Sequence, residues 1–316
     1  MKHQYIADLH EGDQINEYFL LIKKDLKDNP SGEKFLIFTV QDKTGEMGGI
    51  LKDNPVDISQ KISVGDVVVI KGTVKLFREQ LQIHATNITT ISCEHYSMDD
   101  LVLPQEPIEK FQREFWDILE SISNKWLKKL IEKIKADSEI IQRFLRAPAA
   151  KKLHHNLRGG LLKHCYEMMK ISETICELYP NINRDLLISL CFFHDLGKIE
   201  ELSVNQAFTD YTHSGKLIGH LVQGVLLIEK KINEIEGFPE DLKLQIIHGI
   251  LSHHGDPEKG SPVVPKTLEA IVLHHIDFLD SQTNALSKIE KDTLARGEKW
   301  SEYLPLLGRQ IWTKKI

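Results

Sequence analysis

Five places in the second half of the chain carry side chains of the kind that bind metals. They are His164 in "GGLLKHCYEM", the adjacent His194 and Asp195 in "FFHDLGK", His220 in "LIGHLVQG", the adjacent His253 and His254 in "LSHHGD", and Asp277 in "HHIDFLD". Each lies on or at the end of an apolar helical run and not on a polar face. A buried neutral histidine needs a donor and an acceptor, and a buried aspartate without compensation is costly, so several of each aimed into one core call for a cation. Imidazole and carboxylate together suit Mn, Fe, Co, Ni or Zn better than Mg or Ca. Such an ion can acidify a bound water and neutralise negative charge as it builds on a substrate oxygen. Asp195, adjacent to His194, is a candidate catalytic residue. Lys198, one helical turn beyond His194, is placed to offer a further cation to a phosphate oxygen or a leaving group. Its plainer role is a lysine at a helix C-terminus, complementing the dipole. His274 lies three residues before Asp277 on the same helix face and competes with it for a ligand role. His154 and His155 in "KKLHHNLRGG" are candidates for the substrate entrance, while His213 and His248 read as structural or surface residues.

Helices must hold these residues. From Phe111 onward the apolar spacing is helical, through "FWDILESI", "WLKKLIEKI" and "IIQRFL" and then around 160–178, 184–194, 214–235, 241–252 and 264–281. Before residue 92 the pattern alternates instead. "EYFLLIKKDLK", "KFLIFTVQD", "EMGGILKD", "VVVIKGTVKLF" and "LQIHATNITTI" read as five strands joined by turns such as "DKTG" and Gly65-Asp66. So short a set closes its edges most simply as a small Greek-key barrel, and five strands suit an OB-fold. Between the two patterns, residues 96–110 carry Pro104 and Pro107 and break both periodicities. The expected organisation is an OB-fold over 1–95, a linker over 96–110, and an all-helical domain over 111–316 with its metal core in 154–281.

Bulk composition narrows the partners. The 316 residues and 41% hydrophobic content are those of a folded protein of two ordinary domains. A formal charge of -6 excludes the overall basic excess of a duplex-DNA coat, so nucleic-acid contact must be local. No segment reads as a signal peptide or membrane span, which points to the cytoplasm and away from a membrane partner. Cys93, Cys165, Cys176 and Cys191 form no C-x-x-C and read as buried reduced thiols. On the barrel, a single-strand-binding groove would use aromatics for stacking and local positive charge. Lys34, Phe35 and Phe38 on one strand, and Lys71, Lys75, Phe77 and Arg78 in "KGTVKLFREQ", are the candidates, with His155 at the entrance to the helical site. Whether Phe35 and Phe77 face inward or outward is not set by alternation alone.

The order H…HD…H…HH…D with "HDLGK" resembles the HD-domain superfamily of metal-dependent phosphohydrolases across residues 154–281. That resemblance implies one ion held by His164, His194, Asp195 and Asp277, and a second held by Asp195, His220, His253 and His254. Nearly the whole chain, barrel included, resembles the bacterial YhaM family of 3'-to-5' exoribonucleases. It implies a Mn-dependent enzyme that removes nucleotides from the 3' end of single-stranded RNA, with single-stranded DNA as a further substrate. The rival reading is an HD phosphohydrolase of small nucleotides or cyclic dinucleotides, its barrel used for protein contacts. The aromatic and basic stretch "GEKWSEYLPLLGRQIWTKKI" is a candidate surface for packing on the helices, for the substrate path, or for a second copy in a homo-oligomer.

Overall fold

The computed structural model describes residues 2–29, 32–77, 80–92, 95–97, 100–101, 108–149, 159–204, 209–304 and 307–313. The chain divides into two compact units, the first running to Glu106 and the second from Pro107 on, residues 204–208 aside.

The first unit is a closed barrel of β1 (Gln14–Asp28), β2 (Lys34–Asp42), β3 (Gly45–Leu51), β4 (Val67–Phe77) and β5 (Gln80–Thr90), ordered β1-β2-β3-β5-β4. Closure depends on β1, whose first half pairs with β4 and second half with β2. The register slips between Leu21 and Lys23, and a bulge of this kind bends one strand across two partners. Strict alternation on β2 sends Leu36, Phe38 and Val40 inward to meet Phe19, Leu51, Ile70 and Ile83. The Phe38 ring lies where a Cβ on Gly49 would sit, 2.1 Å from its Cζ, which is why β3 carries glycine there. One short helix, α1 (Pro55–Lys61), joins β3 to β4 and packs Ile58 under the barrel beside the buried Ile62. The alternating pattern gave no sign of it, since seven residues with one apolar face leave little periodicity. Tyr96 and Leu101, in the stretch read as linker, pack on the barrel with Tyr18, Leu20 and Val67, and Asp100 accepts hydrogen bonds from the Tyr5 and Tyr18 hydroxyls.

The second unit is helical: α2 (Ile108–Glu120), α3 (Lys125–Lys135), α4 (Ser138–Arg146), α5 (Gly160–Leu178), α6 (Arg184–Phe193), α7 (Lys198–Glu201), α8 (His213–Ile218), α9 (His220–Asn233), α10 (Glu240–Ser252) and α11 (Leu268–Ala295). A two-stranded ribbon, β6 (Leu202–Val204) with β7 (Thr209–Tyr211), lies between α7 and α8. Every residue of α6 from Leu186 to Phe193 is buried, so α6 is the central helix and the others pack around it. The run expected as one helix over 214–235 is two, because Gly219 takes φ 76° and ψ 160°, a conformation essentially confined to glycine. α11 also runs well past the expected end at 281. After it, Trp300 and Trp312 pair across a short antiparallel bridge with ring centroids 5.0 Å apart. Cys165 and Cys191 are buried free thiols and Cys176 is a part-buried one, while Cys93 lies outside the described residues. Among the described residues no helix is long and apolar enough to cross a membrane.

Candidate metal centre

Helix ends deliver most of the site. His194 caps α6 and Asp195 follows it in the tight turn that leads to α7, His220 opens α9, and His253 caps α10 with His254 next; His164 and Asp277 come from the bodies of α5 and α11. The turn is held against α9 by backbone approach. A Cβ on Gly197 would lie 2.0 Å from the His220 carbonyl oxygen and 2.5 Å from the Gly224 nitrogen. Only glycine at 197 lets Asp195 come this close to His220. Gly249 serves α10 in the same way, since a Cβ there would strike the Leu190 side chain of α6 at 2.6 Å.

Asp195 is 2% exposed and stands at the centre. Its Oδ2 lies 3.4 Å from His194 Nε2 and 3.8 Å from His164 Nε2, while its Oδ1 lies 3.5 Å from His220 Nε2 and 3.6 Å from His253 Nε2. Asp277 Oδ1 is 3.3 Å from His164 Nε2. Ligand atoms of His164, His194 and Asp195 form one close group, those of His220, His253 and His254 a second, and those of His194, His253 and Asp277 a third that links them. All seven residues expected to bind metal are therefore brought together.

The tautomers explain what the cluster lacks. The Nδ1 atoms of His194, His253 and His254 face the carbonyl oxygens of Cys191 at 3.1 Å, Ile250 at 2.8 Å and Lys259 at 3.1 Å. Those of His164 and His220 face carboxylates, Asp280 at 2.6 Å and Glu201 at 3.0 Å. A carbonyl or carboxylate oxygen only accepts, so each Nδ1 must donate, and each Nε2 faces the centre, where it offers a lone pair when the ring is neutral. Two pairs of Nε2 atoms come close, His164 with His194 at 3.3 Å and His220 with His254 at 3.2 Å. Among the described residues, the buried Asp195 Oδ1 has no hydrogen-bond partner. Converging lone pairs beside an unsatisfied carboxylate oxygen form an anionic hole that a cation fits, and the N and O donors suit a divalent transition ion.

Electrostatics agree. Burial alone would raise the Asp195 carboxyl, but Lys198 and His194 beside it hold it well below the usual carboxylate range. Burial would likewise raise Asp277, and His164 holds it low. Burial pushes the His253 imidazole down, and burial with His253 and His220 as neighbours takes His254 down to about 4, so both are neutral ligands near pH 7. Burial would lower His164 as well, yet its contacts with Asp277 and Asp280 carry it up to about 10, so an incoming ion has to displace a proton there.

The remaining candidates divide. Lys198 opens α7, so the reading as a C-terminal dipole partner is wrong; its Nζ lies 2.5 Å from Asp195 Oδ2 and donates to the Ala149 carbonyl at 2.5 Å. His274 is a wall of the pocket: it belongs to none of the close ligand groups, and its Nδ1 donates to the His253 carbonyl at 2.7 Å. His248 Nε2 accepts from the Lys266 backbone, a structural role. Arg78, His154 and His155 lie outside the described residues. On the barrel, Phe38 is 0% exposed and belongs to the core, so it cannot stack a base. Phe35 is part-buried on the opposite face of β2, and Lys34 is exposed but paired with Asp28 at 2.8 Å. Lys71, Lys75 and Phe77 share one outward face of β4, with Phe77 52% exposed. Pairing across four strands places Ile37, Ile50, His84 and Thr73 in one row. Lys75 stands beside it opposite Gln82, and Lys75 and Lys52 add to burial in lowering the His84 imidazole. The sequence reading missed His84, Glu201 and Asp280. Asp280 had a signal, because it follows Asp277 by three residues on the same helix face.

Similarity to known proteins runs along both units. Residues 161–282 match the HD domain family, and residues 24–91 match the OB-fold nucleic acid binding domain. The 3'-5' exoribonuclease YhaM of Listeria monocytogenes serotype 4b is 32% identical over 295 residues, 91% of each chain. That of Bacillus subtilis strain 168 is 35% identical over 289 residues, 89% of each chain. The chain belongs to the YhaM family. The YhaM of Bacillus licheniformis is similar to the same degree, 34% identical over 285 residues. In this YhaM-family chain the HD match encloses all seven clustered residues, and the OB match encloses the four-strand row.

Proposed function

We propose that the protein is a metal-dependent 3'-5' exoribonuclease whose helical unit hydrolyses phosphodiester bonds with two divalent ions, Mn foremost among them. The observation that carries the reading is Asp195 Oδ1, without a hydrogen-bond partner among the described residues, between the Nε2 atoms of His220 and His253, while Oδ2 faces His164 and His194. A carboxylate whose two oxygens serve two sets of imidazoles suits a pair of ions sharing it. His164, His194, Asp195 and Asp277 would hold one, and Asp195, His220, His253 and His254 the other. Such ions, when bound, lower the pKa of water and neutralise charge on phosphoryl oxygens. The chain's own residues orient and balance the site. Glu201 and Asp280 hold His220 and His164 with their Nε2 atoms inward, and Lys198 supplies the ammonium on the pocket floor that meets a phosphoryl or leaving-group oxygen.

RNA as substrate and 3'-to-5' polarity are supported by the relatives named 3'-5' exoribonucleases. The barrel face with Lys71, Lys75, Phe77 and His84 would guide the strand by phosphate contacts and stacking, neither of which needs a 2'-hydroxyl, so single-stranded DNA would also bind. The test follows 5'-labelled single-stranded RNA on a denaturing gel, using metal-stripped protein, the same protein with Mn restored, and Asp195→Ala. A Mn-dependent ladder shortening from the 3' end, absent in the variant, is the expected result. Intact RNA with metal-loaded protein would overturn the reading in favour of small nucleotides.

A further inference from the structure

The pocket over the cluster has a volume of about 280 Å³, and beyond Asp195, Lys198 and Asp277 its wall includes Lys259, His274, Phe278 and Ser281. That volume is at the lower edge of the roughly 300–1,000 Å³ of small-ligand sites, room for one nucleotide and not for several. Phe278 immediately follows Asp277 on α11, is 49% exposed, and lines this pocket. An exposed phenylalanine elsewhere would be unremarkable, but one beside a phosphodiester-cleaving centre offers an aromatic face to whatever stands there. Lys259 lies with Nζ 5.3 Å from the centre of that ring. Its backbone carbonyl accepts from His254 Nδ1, so the residue that orients one metal-binding histidine also brings an ammonium to the pocket. The ammonium is not locked in place: its side chain is half exposed, with Asp256 3.5 Å away. It can leave the ring for a stronger anion. A π face, a movable cation and single-nucleotide room match a nucleobase with its phosphate.

We propose that Phe278 and Lys259 form the subsite for the 3'-terminal nucleotide, the base stacked on Phe278 and the neighbouring phosphate drawn to Lys259. This rests on the exoribonuclease reading above. The subsite would bind any base, because each presents a π face, and would hold the terminal bond over Asp195 and Lys198 for cleavage one residue at a time.

The experiment is a double-mutant cycle between protein and substrate with Mn present. Wild type, Phe278→Ala and Phe278→Trp are each given a single-stranded RNA and the same RNA ending in an abasic ribonucleotide, and removal of the terminal residue is timed. Base stacking on an aromatic predicts that Phe278→Ala loses roughly 5- to 150-fold in kcat/KM on the intact RNA. On the abasic RNA the same variant should lose less than about 2-fold, since the partner is already gone. Phe278→Trp should keep the preference for the intact end, and bound Mn should be equal in all three proteins. Lys259→Ala should raise KM most at low salt. Equal losses on both RNAs, or none on either, would overturn the subsite while leaving the nuclease intact. Loss of Mn from Phe278→Ala would also overturn it, making Phe278 a support for Asp277. Wild-type protein that shortens neither RNA would instead remove the nuclease reading on which the subsite depends.

Discussion

At the scale of single residues, the site consists of histidines whose outer nitrogens are already committed. Asp280 is the most instructive of the groups that commit them. It is buried, accepts from His164 Nδ1 at 2.6 Å, and takes a further hydrogen bond from Asn284 Nδ2 at 3.2 Å. Replacing such a partner commonly costs 10- to 100-fold in metal affinity, because the ring loses its fixed tautomer and direction. Asp280→Asn should therefore weaken Mn binding by about that factor in a calorimetric titration while the protein stays folded. Unchanged affinity would show that packing alone orients His164. The seven cluster residues were legible in the sequence because their types are rare in apolar helices and they recur in one order. Asp280 and Glu201 were harder to see, because a carboxylate on a helix is ordinarily a solvated group and only the fold buries these two.

Among the secondary-structure elements, the decisive contacts are close backbone approaches and strand facing. Gly197→Ala would push a methyl into the His220 carbonyl and the Gly224 nitrogen, both backbone and unable to swing away. Because φ at Gly197 is an ordinary -62°, the penalty is steric. An overpacking cost of about 1–3 kcal/mol is expected, seen as a lower unfolding midpoint together with weaker Mn binding. A variant with wild-type stability and metal content would mean that α7 and α9 do not depend on that contact. The two phenylalanines of the barrel should behave oppositely. Phe38→Ala removes a ring from the closed core and should cost about 3–5 kcal/mol in denaturant unfolding. Phe77→Ala should leave stability nearly unchanged and weaken single-stranded RNA by about 1–3 kcal/mol in a binding titration. Alternation in the sequence announced both strands, but it gives relative facing only, and closure of the barrel is what turned Phe38 inward.

For the molecule as a whole, a net charge of -6 means that RNA must be drawn to a local patch against an unfavourable mean field. In the proposed reading Lys71 and Lys75, exposed on one face of β4, would be that patch. Substituting both with alanine should reduce the salt dependence of RNA binding, lowering the slope of log K against log salt by about 1.4 if each lysine meets one phosphate of a single strand. Hydrolysis of a dinucleotide should proceed at the wild-type rate if these lysines act only in holding a longer strand. An unaltered slope would place the strand on another surface.

The sequence by itself determined the two-part organisation, the five strands, most of the helices, and the seven residues of the cluster. These are local properties: apolar periods of two and of three to four, turn residues, and uncommon polar types within apolar runs. Only the tertiary structure decided which atoms meet. It split the expected helix at Gly219, assigned Lys198 to the start of α7 beside Asp195, and set His274 in the pocket wall with its Nδ1 on the His253 carbonyl. It also placed Phe278 and Lys259, from segments far apart in the chain, at one pocket. Spacing along a chain fixes a face on one helix, but distances between helices come from packing, and metal and phosphate chemistry depend on those distances.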